Sequence, residues 1–281
     1  MEFHSASGGE EYAAAVRSRD RLLVALDFDG TLAPIVADPA TAVIHPDGPD
    51  VLTGLAGQAR AVAVVTGRPV RQVLVLGGLD EVGEALGGAG RELVVLGQYG
   101  NERWTSTARR VVSPRPPAGL AGLIADLPGL LRKADATQAW VEEKGLAVAV
   151  HTRRTPDPVA VFDRLLPVLT EAARARGLAV EPGRLVIEVR APGMDKGVAL
   201  RRLVAEYDAG AVVFVGDDLG DVPAFEAADA LRAAGLPALL VCSGSDEEPA
   251  LAALADLVVD GPDGVMAFLR RLTADLEAAR G

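Results

Sequence analysis

The stretch LLVALDFDGTLAPI, residues 22–35, places five apolar residues directly before two aspartates that are separated by one phenylalanine. Five successive apolar residues predict a strand buried on both faces, and Gly30 and Pro34 prevent its simple continuation. Asp27 and Asp29 should therefore lie at the end of a buried strand. Because neighbouring carboxylates repel each other and lose hydration there, we expect a cation or a proton to join them.

The composition is that of a globular protein with an excess of acid. The chain has 281 residues, is 49% hydrophobic and carries 39 acidic against 28 basic residues, for a formal charge of −11. That charge argues against a nucleic acid or an anionic membrane as a partner. A single cysteine, Cys242, excludes an intramolecular disulfide, and the N-terminus lacks the pattern of a signal peptide. We expect a soluble cytoplasmic protein with a flexible leader over residues 1–20.

Apolar strands alternate with helical patterns in two separate parts of the chain. Strands are predicted at 61–65, 93–96, 212–215, 236–241 and 257–259, and helices at 46–60, 195–207, 222–234 and 265–280. This alternation predicts an α/β fold in which helices cover both faces of a parallel sheet. Ligands of such sheets bind beyond the carboxyl ends of the strands, so polar residues that follow a strand are candidates for a site.

The pattern between these two parts is different. From about Trp104 the alternation stops, and a proline-rich stretch precedes a helix at 120–133, a hairpin at 138–150, a helix at 158–176 and strands at 178–181 and 185–189 about Pro182-Gly183. A helix and a hairpin, repeated twice, predict an inserted α+β module with an antiparallel sheet. We therefore expect a core of residues 21–103 and 191–281 that is interrupted by an inserted domain of residues 104–190.

The polar residues at the ends of the core strands fit one reaction, the transfer of a phosphoryl group to a carboxylate and then to water. Asp27 would be the nucleophile, and Asp29 would protonate the leaving alcohol and later accept a proton from water. Asp27, the backbone carbonyl of Asp29 and Asp217 would hold a Mg²⁺ ion, a hard cation that prefers oxygen. Further candidates around the phosphate and the metal are Thr66, Gly67, Lys196, Asp218 and Asp221.

Each of these short motifs also has an ordinary structural explanation. Asp-x-Asp-Gly is usually a turn, Thr66-Gly67-Arg68-Pro69 can cap a helix, and Lys196 alone could be a solvated side chain. A calcium loop of the EF-hand type is rejected, because Gly30 comes too early and Asp38 stands where a glutamate is needed. The functional interpretation depends on the joint occurrence of the motifs, in this order, at strand ends and helix starts.

The motifs together resemble those of the haloacid dehalogenase superfamily. Asp-Phe-Asp-Gly-Thr-Leu at 27–32, Thr66-Gly67-Arg68, Lys196 and Gly216-Asp217-Asp218 match its four motifs. The resemblance implies a Rossmann-like core with a cap domain inserted between the second and third motifs. Within the superfamily the chain is similar to the trehalose-6-phosphate phosphatases. Three segments carry this similarity: Leu-Ala-Pro-Ile at 32–35, residues 141–146 followed by His151 and Arg153, and residues 183–190 followed by Asp195-Lys196-Gly197.

This resemblance implies a Mg²⁺-dependent enzyme that hydrolyses trehalose 6-phosphate through an aspartyl-phosphate. Glu142, Lys144 and Glu188 would hydrogen-bond the sugar hydroxyls from the cap, and Arg68 would lie near the phosphate. The chain departs from the family at Gly220-Asp221-Val222, where relatives have Thr-Asp-Glu, and at Tyr99-Gly100, where they have His-Gly.

Two other functions stay open at the level of sequence. One is a phosphatase for a different sugar phosphate, such as a glucosylglycerate or sucrose phosphate, because fold and core motifs do not set the substrate. The other is a sugar-phosphate sensor without catalysis in a trehalose-synthesising complex, although a pure binder needs no nucleophile. A sugar phosphate is the expected small-molecule partner in every case, and a monomer is the working expectation.

Overall fold

A computed structural model describes residues 2–36, 38–86, 91–244 and 249–280. It divides the chain into two compact units, Met1–Val112 together with Asp195–Gly281, and Ser113–Met194. We call them the core unit and the cap unit. Among the described residues, no helix combines the length and the apolar character that crossing a membrane requires.

The elements follow one another along the chain in this order. The first part of the core unit contains α1 Gly8–Arg17, β1 Leu22–Leu26, α2 Gly48–Ala56, β2 Ala61–Val65, α3 Val70–Gly77, α4 Leu79–Ala85, β3 Glu92–Gly97 and β4 Glu102–Thr105. The cap unit contains α5 Leu120–Lys133, β5 Trp140–Glu143, β6 Ala147–His151, α6 Pro158–Arg174, β7 Ala179–Gly183 and β8 Val186–Arg190. The core unit resumes with α7 Lys196–Glu206, β9 Ala211–Gly216, α8 Val222–Ala233, β10 Ala238–Gly244, α9 Pro249–Ala252, β11 Leu257–Asp260 and α10 Gly261–Ala278.

The core unit is built on a sheet with β1 at its centre. Within the described residues its strand order is β11-β10-β9-β1-β2-β3-β4, parallel throughout except for β4, which runs antiparallel to β3. All five residues of β1 are buried. Val24 and its even-numbered neighbours pack towards α2 and α10, whereas Leu23 and Ala25 pack towards α7 and α8. The prediction of a parallel sheet covered on both faces is confirmed, and the site must lie beyond the carboxyl end of β1.

The cap unit is an antiparallel sheet with helices on one face. Its strand order is β5-β6-β8-β7. Val148, Val150 and Ile187 point to the face that α5 and α6 cover, and they form one apolar cluster with residues of these helices. Because side chains alternate along a strand, Glu142, Ala149 and Glu188 share the opposite face, and the strand register aligns them in one row. The predicted α+β insertion with an antiparallel sheet is confirmed.

The prediction of a flexible leader is wrong for most of residues 1–20. Gly8–Arg17 is the helix α1, Ala15 is 1% exposed, and Tyr12 Oη donates to Asp275 Oδ2 at 2.7 Å. The backbone N–H of His4 also donates to the Asp256 carbonyl. The apolar face of α1 consists largely of alanines, so its sequence lacks the large hydrophobic residues by which a packed helix is recognised.

One boundary of the insertion and one turn within it also differ from the sequence prediction. Trp104 lies in β4, an edge strand of the core sheet, and is 2% exposed. This strand is short and mostly polar, which hides it from hydrophobic patterning. Pro182 and Gly183 belong to β7 rather than to a turn, and the turn follows at Leu185, whose φ is 59°. The proline is tolerated because β7 is an edge strand, where one missing N–H breaks no ladder.

Candidate functional site

Asp27 and Lys196 form a buried ion pair at the carboxyl end of β1. Lys196 Nζ lies 2.8 Å from Asp27 Oδ1, and the two residues are 4% exposed each. Lys196 is the first residue of α7, whose N-cap Asp195 accepts a hydrogen bond from Val198 N–H. The strand end and the helix start thus bring together two residues that are 169 positions apart in the sequence, as their numbers show.

Asp221 holds the same lysine from the other side. Lys196 Nζ donates to Asp221 Oδ1 at 2.7 Å, and Asp221 Oδ2 accepts from the backbone N–H groups of Asp217 and Asp218. A Cβ atom on Gly197 would lie 2.2 Å from the carbonyl oxygen of Pro223, so α7 and α8 begin in close contact. This contact explains why Lys196 and Asp221 meet. Burial disfavours the charge of Lys196, but the nearby carboxylates, those of Asp221 and Asp27 foremost, outweigh this effect and raise the pKa of the ammonium group.

Three carboxylates converge beside this lysine. One oxygen each of Asp27, Asp217 and Asp221 lies within 4.8 Å of the others, and all three residues are buried. Burial, reinforced by the charge of Asp27 and then of Asp221, raises the pKa of Asp217 to about 10. Without a metal ion, the raised pKa favours a proton on Asp217, and a divalent ion bound there would displace it.

The cluster fits a Mg²⁺ ion by its chemistry. Asp217 Oδ1 is buried and has no hydrogen-bond donor, and the converging ligands are carboxylate oxygens, which a hard cation prefers. Asp27 and Asp217 were predicted as metal ligands, and their carboxylates lie together here. Asp221 was predicted to lie near the metal, and its two oxygens accept hydrogen bonds from Lys196 and from backbone N–H groups.

Gly30 is required by the close approach of two loops. A Cβ atom at this position would lie 1.9 Å from Asp217 Oδ2, and the φ angle of Gly30 is +69°. Both facts exclude a side chain. Ser243, near the end of β10, donates from Oγ to the Gly30 carbonyl at 2.7 Å, and this hydrogen bond helps to hold the loop in place. The sequence analysis did not identify Ser243, because a lone buried serine carries no motif.

Asp29 points to Arg68 rather than into the acidic cluster. Its Oδ2 accepts from Arg68 Nε at 2.6 Å, and its Oδ1 accepts from Arg68 Nη2 at 2.5 Å. The Asp29 side chain is 38% exposed, in contrast to the buried Asp27. A carboxyl group that must exchange protons with a substrate should be accessible and separate from the metal ligands, and the Asp29 side chain meets both conditions.

The Thr66-Gly67-Arg68 motif forms the rim next to Asp29. Thr66 is 1% exposed, and its Oγ1 accepts from the Arg68 backbone N–H at 3.1 Å. Tyr99, which replaces the family's histidine, donates its backbone N–H to the Thr66 carbonyl. Its ring lies against Gly67, where a Cβ atom would be 2.9 Å from the phenol oxygen. Tyr99 therefore contributes to the shape of this rim.

Asp218 does not join the acidic cluster with its side chain. It is exposed, and its Oδ1 accepts from the Gly220 backbone N–H at 2.8 Å, in a reciprocal capping arrangement with Asp221. The altered sequence Gly220-Asp221-Val222 thus still delivers the carboxylate of Asp221 to Lys196. The role of Asp218 suggested by this geometry is to stabilise the turn that carries Asp217.

The predicted cap residues share one face of the cap sheet. Lys144 Nζ donates to Glu188 Oε2 at 2.7 Å, and His151 Nε2 lies 3.0 Å from Glu142 Oε2. Glu188 is 6% exposed and is also approached by Arg190, at 3.8 Å from its Oε1. Two carboxylates and a lysine, with Glu142 in β5, Lys144 directly after β5 and Glu188 two strands away in β8, form a polar surface that can accept hydrogen bonds from hydroxyl groups and donate hydrogen bonds to them.

An aromatic residue borders this polar surface. Trp140 is 42% exposed, its ring lies 4.5 Å from that of His151, and the guanidinium of Arg154 lies 5.7 Å from its centroid. Trp140 and His151 are paired in the strand register one row from Glu142 and Ala149. The sequence analysis assigned neither residue to the site. The pairing of His151 with Glu142 follows from the register, which sequence patterns leave unspecified.

Comparisons with known proteins agree with the motifs. The family model for trehalose-phosphatase matches residues 130–260. The chain is 32% identical to "Probable trehalose-phosphate phosphatase 9" of Oryza sativa subsp. japonica, over 97% of this chain and 75% of that protein. It is 34% identical to an uncharacterized glycosyl hydrolase of Mycobacterium tuberculosis, over 92% of this chain but only 19% of the relative, so that it spans about a fifth of that protein.

A solved structure shows the same fold. The C-terminal domain of the trehalose-6-phosphate phosphatase of C. albicans superposes with a TM-score of 0.77 and 19% sequence identity, covering 97% of this chain and 98% of that chain. At this level of identity the likeness concerns the fold alone.

Proposed function

Because the chain belongs to the trehalose-phosphatase family, we propose that it hydrolyses trehalose 6-phosphate to trehalose and phosphate. The observation that carries the proposal is the buried contact of Asp27 with Lys196, beside the carboxylates of Asp217 and Asp221. A cation of the protein and a site for a metal both adjoin one carboxylate at the end of the central strand. This is the arrangement that a carboxylate nucleophile needs to approach a phosphate dianion.

In the first step, an oxygen of Asp27 attacks phosphorus. The bond between phosphorus and the sugar oxygen breaks, the electron pair stays with that oxygen, and Asp29 gives it a proton. Trehalose leaves, and Asp27 carries the phosphoryl group. Lys196 donates to the oxygens that gain charge during transfer, and Thr66 and the N–H groups around Gly30 and Gly67 orient the group.

In the second step, water attacks the phosphorus of the aspartyl-phosphate. Its proton passes to Asp29, the bond between phosphorus and the Asp27 oxygen breaks, and Asp27 regains its electron pair. Mg²⁺ bound by Asp27 and Asp217, with the Asp29 carbonyl as the third proposed protein ligand, would neutralise the charge that builds up on the phosphoryl oxygens. Asp29 thus serves both steps, once as an acid and once as a base.

The cap residues would select the sugar. Glu142 and Glu188 accept hydrogen bonds from hydroxyl groups, and Lys144 donates to them. In the structure these three side chains are engaged with His151 and with each other, so a sugar would exchange some of these bonds for its own. Polar sites of this kind discriminate strongly, because an analogue without the matching hydroxyl leaves a buried group unpaired. A cytoplasmic location and a monomeric state stay predictions.

A phosphate-release assay over a panel of sugar phosphates, with and without Mg²⁺, tests the proposal. We expect trehalose 6-phosphate to be the preferred substrate and activity to depend on the metal. Preference for a sucrose or glucosylglycerate phosphate would keep the chemistry and change the substrate. No release from any member of the panel would contradict the proposal and favour the sensor.

A further inference from the structure

The contact between Arg68 and Asp29 is a two-pronged ion pair at the edge of the site. Nε and Nη2 of the guanidinium donate to the two oxygens of one carboxylate, at 2.6 and 2.5 Å, and Nη1 donates to the Pro39 carbonyl at 2.8 Å. The Arg68 side chain is 11% exposed. Such a planar fork fixes the orientation of a carboxylate as well as its position.

Arg68 is itself held in place along its whole length. Its backbone N–H donates to Thr66 Oγ1, and its carbonyl accepts from the Gln98 N–H at 2.9 Å. The guanidinium carbon lies 5.9 Å from the centre of the Phe28 ring, so the side chain also packs against the residue between the two aspartates. A group restrained in this way is suited to orient another side chain.

We infer that Arg68 is a positioning residue that orients the carboxyl group of Asp29 for proton transfer, instead of being a ligand of the phosphate as the sequence suggested. The inference rests on the proposed role of Asp29. Each of the three guanidinium nitrogens already donates to the protein, two of them to Asp29 itself. These bonds use three of the five guanidinium N–H groups, so a phosphate contact would have to come from the other two, one on each terminal nitrogen.

Orientation matters because one carboxyl group must serve two different partners. In the first step Asp29 faces the sugar oxygen, and in the second it faces the water whose oxygen forms the new bond to phosphorus. In that second step the water proton goes to Asp29, and the bond between phosphorus and Asp27 breaks with its electron pair left on Asp27. Proton transfer by a positioned side chain contributes about 10²–10⁴-fold to a rate, and much of this depends on alignment.

A substrate with a good leaving group separates these steps. p-Nitrophenolate leaves without being protonated, so the first step on p-nitrophenyl phosphate does not need Asp29. The second step needs it whatever the substrate was. If Arg68 acts through Asp29, its loss should leave the first step on this substrate fast and make the second step slow.

The experiment is rapid mixing of R68Q with p-nitrophenyl phosphate and Mg²⁺ at micromolar enzyme. We expect a burst of p-nitrophenol close to one per active site, followed by a steady rate about 10- to 100-fold below that of the wild type. Because only the second step slows, KM should fall together with kcat, so that kcat/KM stays within about twofold of the wild type, and the inhibition constant of inorganic phosphate should also change less than about twofold. D29N should show the same burst, and the double variant R68Q/D29N should be no slower than D29N, since both changes remove one function.

Two further variants guard the interpretation. R71Q removes an arginine that is exposed on α3 three positions away in the sequence, and it should match the wild type. R68K keeps the charge and the alkyl stem but loses the planar fork. It should therefore fold even if R68Q does not, and its steady rate after the burst should lie between that of the wild type and that of D29N.

Three results would overturn the inference. A rise in KM and in the inhibition constant of phosphate with kcat retained would make Arg68 a phosphate ligand. A slower rate without a burst would mean that Arg68 supports the fold of the site in general. A wild-type rate in R68Q would give it no role in the reaction. Absence of phosphate release by the wild-type enzyme from any ester would instead refute the proposed function itself.

Discussion

At the scale of single residues, Gly30 shows how a sequence motif is dictated by packing. The Asp-x-Asp-Gly pattern has a glycine because the Asp217 carboxylate passes where a side chain would be. G30A would therefore push Asp217 away from Asp27, in addition to straining a backbone with positive φ. We expect phosphate release to fall at least about 100-fold and the apparent Mg²⁺ affinity to fall with it. Isothermal titration of Mg²⁺ checks the second effect.

G54A is the matched control for this change. Gly54 lies in α2, and a Cβ atom there would make only an ordinary contact at 3.7 Å with Thr273. Its Mg²⁺ affinity should be that of the wild type. Equal Mg²⁺ affinity in G30A and G54A would show that Gly30 has no influence on metal binding.

Lys196 is the residue on which the stability of the acidic cluster depends. K196M would leave the buried Asp27 and Asp221 without their shared cation. Breaking a buried ion pair by removing one partner costs about 3–5 kcal/mol, and we expect a loss of this size in the free energy of unfolding. Urea denaturation without Mg²⁺ measures it. K133M, which removes an exposed lysine of α5, should change the unfolding midpoint little, and an equally small effect of K196M would contradict the account.

At the scale of elements, the cap sheet should affect the substrate and not the chemistry. E142A and E188A remove carboxylates from the face of this sheet that lies opposite its helices, and a small ester such as p-nitrophenyl phosphate does not need them. We expect kcat/KM to fall about 10- to 100-fold or more on trehalose 6-phosphate and less than about threefold on the small ester. Parallel assays on the two substrates measure the difference.

E143A provides the control for these variants. Glu143 is exposed and follows Glu142 directly in β5, so its side chain lies on the other face of the sheet. It should behave as the wild type on both substrates. If E142A and E188A lost kcat/KM equally on both substrates, these residues would not be part of a sugar-binding site.

Elements with strong apolar patterns could be predicted from the sequence, and those without them could not. β1 is apolar at every position because it is central in a parallel sheet, and its identification located Asp27. α1, rich in alanine, and β4, short and polar at the sheet edge, carry no such pattern. The contacts of Lys196 with Asp221 and of Arg68 with Asp29 depend on how α7, α8 and the loops pack. No spacing along the chain encodes them.

At the scale of the whole molecule, Mg²⁺ should stabilise the folded chain. A ligand that binds only the native state adds about 2.7 kcal/mol at 100 times its Kd, so millimolar Mg²⁺ should raise the Tm measured by thermal unfolding. D217N should lose this response, because Asp217 brings an oxygen without a donor to the cluster. D218N should keep it, since Asp218 points away from the cluster. If Mg²⁺ raised the Tm of D217N as much as that of the wild type, the ion would not be bound by Asp217.

The two units divide the function of the molecule between them. The core unit carries the groups that would break and form bonds to phosphorus, and the cap unit carries the groups that would recognise a sugar. On the proposed function, the insertion would set the substrate and the two flanking parts of the chain would set the reaction. Changes of specificity should be obtainable in the cap unit without loss of the core chemistry.

The central claim is that Asp27 carries the phosphoryl group during turnover. Rapid quenching of the wild-type enzyme with ³²P-labelled trehalose 6-phosphate and Mg²⁺, followed by peptide mapping in acid, tests it directly. The account predicts acid-stable, alkali-labile label on the peptide that contains Asp27, and no label and no turnover in D27N. Label on another residue, or appreciable phosphate release by D27N, would contradict it.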